Sequence, residues 1–274
     1  MGKGAGPAAL LPQLATIAEK NHPLAKLCAG AVVGIDAFIW AHEMTARHFR
    51  GVVLSEEHVK AVDDFEERAV RYLHLSIKPL FVFDGRRLPG KGMTDADRRR
   101  KRAAAQAHIE SARSSEQLQQ VMDGALELEL EDSVLKAAAG VTDKFVTDVI
   151  HRLRKLGIPY IKAPYEADAQ LAALDRLKIT QFSQSEDGDL IIYGIKNVLL
   201  KNNYHLMTAD LYTQSNLLNN NLTTRSVPLL KLLRDKGLKI KAWYAVLGRA
   251  WGGGSVAIPQ LAPLTLSAYL RPPG

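Results

Sequence analysis

Two short, almost wholly apolar runs in this chain each end on an aspartate: "AVVGID" at 31–36 and "PLFVFD" at 79–84. Runs of this length without polar alternation are buried on both faces, the condition of strands in a parallel sheet. A third run, "LIIYG" at 190–194, follows directly on "SEDGDL" and reads as another strand. Between them the pattern turns helical. "EEHVKAVDDFEERAVRYLHL" (56–75) repeats apolar residues at three-to-four spacing, and "VTDKFVTDVIHRLRKLG" (141–157) does the same before closing on glycine. Strands alternating with helices predict an α/β fold with a mostly parallel central sheet flanked by helices. Ligands of such sheets bind beyond the carboxyl ends of the strands, where Asp36 and Asp84 are placed.

More acids fall in comparable positions. "APYEADAQLAALDRL" (163–177) reads as a helix opening at Pro164, with Glu166 and Asp168 in its first turn. The helix dipole favours acids there, so simple charge complementation is one explanation. Spacing alone does not make these two converge. An extended backbone at Asp187 and Asp189 would put both side chains on one face, with Gly188 permitting a tight turn or the close approach of a phosphate. Asp36, Asp84, Glu166, Asp168, Asp187 and Asp189 gathered at one edge would repel one another and lose hydration unless a cation offset the cost. Oxygen donors without His or Cys favour Mg²⁺ or Mn²⁺ over zinc. Two such ions about 4 Å apart stabilise the attacking and leaving oxygens of phosphodiester hydrolysis. The competing explanation is structural: the same acids serving as caps and turns.

The net charge of +7 favours a polyanionic partner only modestly, and its distribution says more. "RRRKR" at 98–102 sits inside "TDADRRRKRAAAQAHIESARSSEQLQQ", a run of strong helix formers with capping-box-like spacing at its start and little apolar periodicity. Such a helix is expected to project from the core, its cations either simply solvated or available to phosphates. The single cysteine, Cys28, excludes an internal disulfide and points to an intracellular setting. The longest apolar stretch, "CAGAVVGIDAFIW", is too short to span a bilayer. Gly2 lacks the Ser or Thr of a myristoylation signal at the sixth position, and no secretory segment follows. No membrane partner is expected.

In order along the chain, "FVFDG", "LPGK", the basic run, "PYEADAQLAAL" and "SEDGDLIIYG" resemble the structure-specific 5′-nuclease superfamily of flap endonucleases, and within it the eukaryotic exonuclease 1 branch. The similarity runs over about residues 25–205. The resemblance implies a PIN-like nuclease core with a projecting helical arch, two Mg²⁺ ions for which Mn²⁺ can substitute, and nuclear action on DNA with 5′ ends, flaps or single-strand/duplex junctions. It places the six acids on the family's metal positions and Lys91 and Arg98 on its catalytic basic pair at the foot of the arch. Arg99, Arg100, Lys101 and Arg102 then steer the DNA strand. His42 falls where the family stacks a side chain on DNA at the cut, although a partly buried helix histidine is an equal reading, and Trp40 reads as core. Gly2 matches the glycine beside the active site, but Lys3 and the residues after it depart from the family's start.

The resemblance implies four regions: 1–92 and 141–247 as the two halves of the nuclease core, 93–140 as the arch, and 248–274 as a divergent tail. After "KAWYAVLG" the family's last metal-site aspartate and its K⁺-binding helix–two-turn–helix are not matched, as in a truncated or frame-altered product. Two functions follow as expectations: a Mg²⁺-dependent 5′-nuclease of repair or replication, or a noncatalytic nucleic-acid-binding protein on the same fold. A metal phosphatase built on "FVFD" explains neither the basic helix nor "PYEADAQLA".

Overall fold

The structure, a computed structural model, describes residues 18–54, 58–86, 100–111, 114, 132–186 and 188–219. Its centre is a seven-stranded sheet in the order β1-β7-β6-β5-β2-β3-β4. In chain order the strands are β1 (Glu19–Pro23), β2 (Val32–Asp36), β3 (Lys78–Phe83), β4 (Tyr160–Lys162), β5 (Phe182–Gln184), β6 (Asn197–Asn203) and β7 (Thr208–Thr213). Strands β6, β5, β2, β3 and β4 run parallel, while β7 and β1 add antiparallel neighbours on the β6 side. Helices α1 (Leu24–Cys28), α2 (Ala37–Arg47), α3 (Phe49–Leu54) and α4 (Val59–His74) precede β3. Helix α5 (100–111), α6 (Asp132–Ala138) and α7 (Asp143–Lys155) lie between β3 and β4. Helix α8 (Ala167–Arg176) precedes β5, α9 (Asp189–Ile192) links β5 to β6, and α10 (Gln214–Asn219) follows β7.

Strand alternation divides the core in two. Val33, Ile35, Phe81 and Phe83 face α2, α4 and α7, where Trp40, Phe65, Tyr72 and Phe145 complete the first cluster. Val32, Leu80 and Val82 face α8 and α9 and pack with Leu171, Leu174 and Leu190. Trp40 is fully buried, 5.1–5.6 Å from the rings of Phe65, Tyr72, Phe81 and Tyr204, and is core as the sequence predicts. At Gly34 a Cβ would lie 2.7 Å from the Leu171 side chain, so the missing side chain lets α8 close onto β2.

Three sequence expectations change. "LIIYG" is not a strand: residues 189–192 form α9, and the strand is the polar "FSQ" just before the acids. A short apolar run cannot be distinguished from a buried helical turn by periodicity alone, and Leu190 is buried from a helix. The helix after "APYE" opens at Ala167 rather than Pro164, leaving Glu166 as its N-cap. Helix α5 is not uniformly polar in its surroundings either. Ala105 and Ile109, one turn apart, pack on Leu135 and Ala138 of α6 in a third cluster, separate from the other two, with Phe49 and Val53 of α3 against it.

Candidate active site

Asp36 ends β2 and caps α2, its carboxylate accepting the Phe38 N–H at 3.0 Å. Asp84 follows β3 directly. Its Oδ1 accepts the N–H of Ala167 at 2.7 Å, so it caps α8 from 83 residues away. Glu166 occupies the N-cap position of α8 but makes no capping bond with its own side chain. The backbone fixes this meeting. Ala163 donates to the Phe83 carbonyl (2.8 Å), Gly85 to the Tyr165 carbonyl (2.6 Å), and Arg86 to the Pro164 carbonyl (3.0 Å). Only glycine fits at 85, where a Cβ would lie 1.8 Å from the Ala163 carbonyl oxygen. Asp84, Glu166 and Asp168 are thereby brought to one helix N-terminus, whose positive end favours carboxylates.

Register aligns the other strand ends. Asp36 pairs with Val82, two residues short of Asp84, and Ile35 pairs with Gln184. The chain therefore leaves β5 at the same edge as Asp36 and Asp84. β3 lies on one side of β2 and β5 on the other. Strand order thus reverses between β2 and β5, and such reversals open the crevice in which α/β sheets bind ligands.

The first acid of "SEDGD", Glu186, has a different task. The Glu186 carboxylate accepts the Lys201 N–H (3.2 Å), the Asn202 N–H (3.0 Å) and the Asn202 side-chain amide (2.9 Å), tying the end of β5 to β6. Asp187 and the side chain of Asp189 lie outside the described residues. Among the described residues, no three acidic, His or Cys side chains approach closely enough to hold a metal ion together. The donors that the strand ends supply are carboxylate oxygens, a chemistry that fits Mg²⁺ or Mn²⁺.

Beneath this edge lies a polar network that the sequence does not announce. Ser183, Gln184 and Ser185 are all buried. The Tyr72 hydroxyl donates to Gln184 Oε1 at 2.7 Å, and Gln184 Nε2 donates to the Tyr204 hydroxyl at 3.0 Å. Burial, then the neighbouring Tyr204, push the Tyr72 hydroxyl well above its usual range, so it stays protonated and remains a donor. The amide thus holds the last residue of β5 between α4 and the β6–β7 turn. Arg68 packs beside it, over the Tyr204 ring at 3.5 Å, and pairs with both oxygens of Glu43 at 2.7 and 2.8 Å. The only signal in the sequence is the polarity of "SQS" where a buried strand is apolar.

His42 is exposed on α2, with its ring 6.2 Å from that of Phe38, rather than partly buried. Arg100 and Lys101 are exposed on α5, and Arg102 is half-buried with its guanidinium against Gly140. Gly2, Lys91, Arg98, Arg99 and the tail from 248 lie outside the described residues. No helix among the described residues is long and apolar enough to cross a membrane.

Residues 6–105 match the XPG N-terminal domain and residues 157–238 the XPG I-region, together well over half of the chain. Exonuclease 1 of Danio rerio is 31% identical over 186 residues, 68% of this chain but 22% of that protein. The DNA damage-inducible protein DIN7 of Saccharomyces cerevisiae is 29% identical, covering 71% of this chain and 42% of its own length. The chain therefore spans well under half the length of either relative. A solved catalytic core of Rad2 in complex with DNA substrate superposes with a TM-score of 0.52 at 19% identity, over 96% of this chain and 86% of that one. This likeness establishes the fold.

Proposed function

The chain belongs to the XPG-like 5′-nuclease family, and from that premise we propose that it hydrolyses DNA phosphodiesters at the carboxyl edge of its sheet, with divalent cations as cofactors. One observation carries the reading: the Asp84–Ala167 hydrogen bond, which joins the end of β3 to the N-terminus bearing Glu166 and Asp168. Caps and turns alone would not need an acid brought from 83 residues away to a helix that already has Glu166 at its N-cap.

Asp36, Asp84, Glu166 and Asp168, with Asp187 and Asp189, would hold two Mg²⁺ ions, and Mn²⁺ would substitute. Bound there, the ions supply Lewis acidity and neutralise phosphate charge. The chain's own part is to hold the acids at one edge, through the Gly85 zipper on one side of β2 and the Gln184 network on the other. Lys91 and Arg98 would stabilise charge on the phosphate, Arg99 to Arg102 would steer the strand, and His42 would stack at the cut. The substrates would be DNA with 5′ ends, flaps or junctions, and the setting the nucleus.

The alternative is a noncatalytic DNA-binding protein on the same nuclease fold. One assay separates the two. A 5′-labelled recessed duplex and a flap substrate are incubated with and without Mg²⁺, beside Asp84→Asn. Metal-dependent cleavage that the variant abolishes is the expected result. Salt-sensitive binding without cleavage would overturn the nuclease reading in favour of the second.

A further inference from the structure

A row of rings runs from α2 across the sheet to its outer edge. His42 and Phe38 lie 6.2 Å apart, Phe38 and Phe83 6.4 Å, and Phe83 and Tyr160 6.2 Å, all tilted or edge-to-face. At the far end Arg154 of α7 donates to the Tyr160 hydroxyl through Nε at 3.0 Å and through Nη2. The guanidinium carbon is 5.5 Å from the ring centre, which puts it at the hydroxyl edge rather than across the ring face. Phe83 is buried, Tyr160 is partly exposed, and Arg154 is exposed.

β4 is the last strand of the sheet, so its outer side has no strand partner among the described residues. Lys162 shares the face of Tyr160, two residues and about 6.6 Å further on, and Lys155 closes α7 nearby; both are exposed. On another side of α7, Arg152 is committed to Glu66 and Asp63 at 2.6 and 3.0 Å. Arg154, Lys155 and Lys162 make no ion pair among the described residues. A partly exposed ring flanked by cations that make no ion pair among the described residues fits unpaired nucleic acid, with bases stacking on the ring and cations taking the phosphates. An acidic peptide would use the cations and leave the ring idle.

We propose that Tyr160, with Arg154, Lys155 and Lys162, forms a stacking platform for an unpaired stretch of the DNA strand passing the outer edge of β4. Glu166 follows Lys162 by four residues, at most about 14 Å of chain, so a strand held here passes within a few nucleotides of the carboxylates. The platform rests on the reading that the chain acts on DNA.

The test is made without divalent metal, so that binding is read apart from cleavage. A short single strand carrying 2-aminopurine and a blunt duplex of the same sequence are titrated with the full chain. Stacking should quench the probe. Tyr160→Leu keeps apolar bulk against Phe83 and should abolish the quench, with single-strand affinity falling about tenfold and duplex affinity unchanged. Tyr160→Phe should retain the quench. Lys162→Gln should reduce the slope of log affinity against log salt by about 0.7, and it decides the matter if Tyr160→Leu does not fold. An unchanged quench in Tyr160→Leu, or an unchanged slope in Lys162→Gln, with duplex binding intact, overturns the platform and leaves the nuclease reading standing. Competition by polyglutamate without any quench in the unaltered chain also overturns it. Failure of the unaltered chain to bind either nucleic acid would overturn both.

Discussion

Glu43 answers two arginines. Arg68, only 5% exposed, meets both its oxygens, and Arg47 reaches Oε1 at 2.9 Å. Burial pushes the Glu43 carboxyl up, but the hydrogen bond and charge of Arg68, then those of Arg47, outweigh it and hold the group below its ordinary value of 4.5. A folded-state pKa below the unfolded one gives a stabilisation that is complete above that ordinary value. It is lost as the pH falls through the folded value. Glu43→Gln should therefore flatten the acid limb of the stability profile, measured by urea unfolding across pH. At neutral pH the same variant leaves Arg68 buried without its carboxylate and should cost about 3 kcal/mol. The lone thiol behaves differently: burial alone pushes Cys28 up to about 12, so it is an inert core residue at neutral pH.

At the scale of the element, β5 is where a polar strand does what apolar ones do elsewhere. Gln184→Leu would strand the Tyr72 and Tyr204 hydroxyls in the core, at about 1–3 kcal/mol for each group left unpaired. Tyr72→Phe removes one partner and should cost less. Both should raise the Mg²⁺ concentration needed for half-maximal cleavage, because the backbone entering Asp187 loses its anchor; an unchanged metal requirement in a folded Gln184→Leu would refute that coupling. The same strand shows where the sequence becomes illegible. β2 and β3 were readable because "AVVGID" and "PLFVFD" bury both faces, and α4 and α7 because their apolar spacing is strong. β5 was not, because its burial depends on tyrosines more than 100 residues before it and 20 after it. The positions of Asp36 and Asp84 at the carboxyl ends of two strands were legible. The capping of α8 by Asp84 was not, since no local pattern encodes a bond between residues so far apart.

In the molecule as a whole, strands covered on both faces lie at the centre of the sheet, with β1 and β4 at its edges. Amide exchange should follow that order, slowest in β2 and β3 and faster in β1 and β4, as mass spectrometry of peptides from exchanged protein would record; uniform protection would contradict it. The centre also interleaves early and late chain. β3 pairs with β4 and β2 with β5, and the Gly85 zipper sews residues 83–86 to residues 163–165. Residues 36 and 84 come from one stretch, and 166 to 189 from the other. A chain severed between α5 and α6 would keep every one of these cross-links, so two separately translated fragments could reassemble the carboxylate edge by complementation. The strand pairing would then hold the edge together however the intervening segment is lengthened or exchanged.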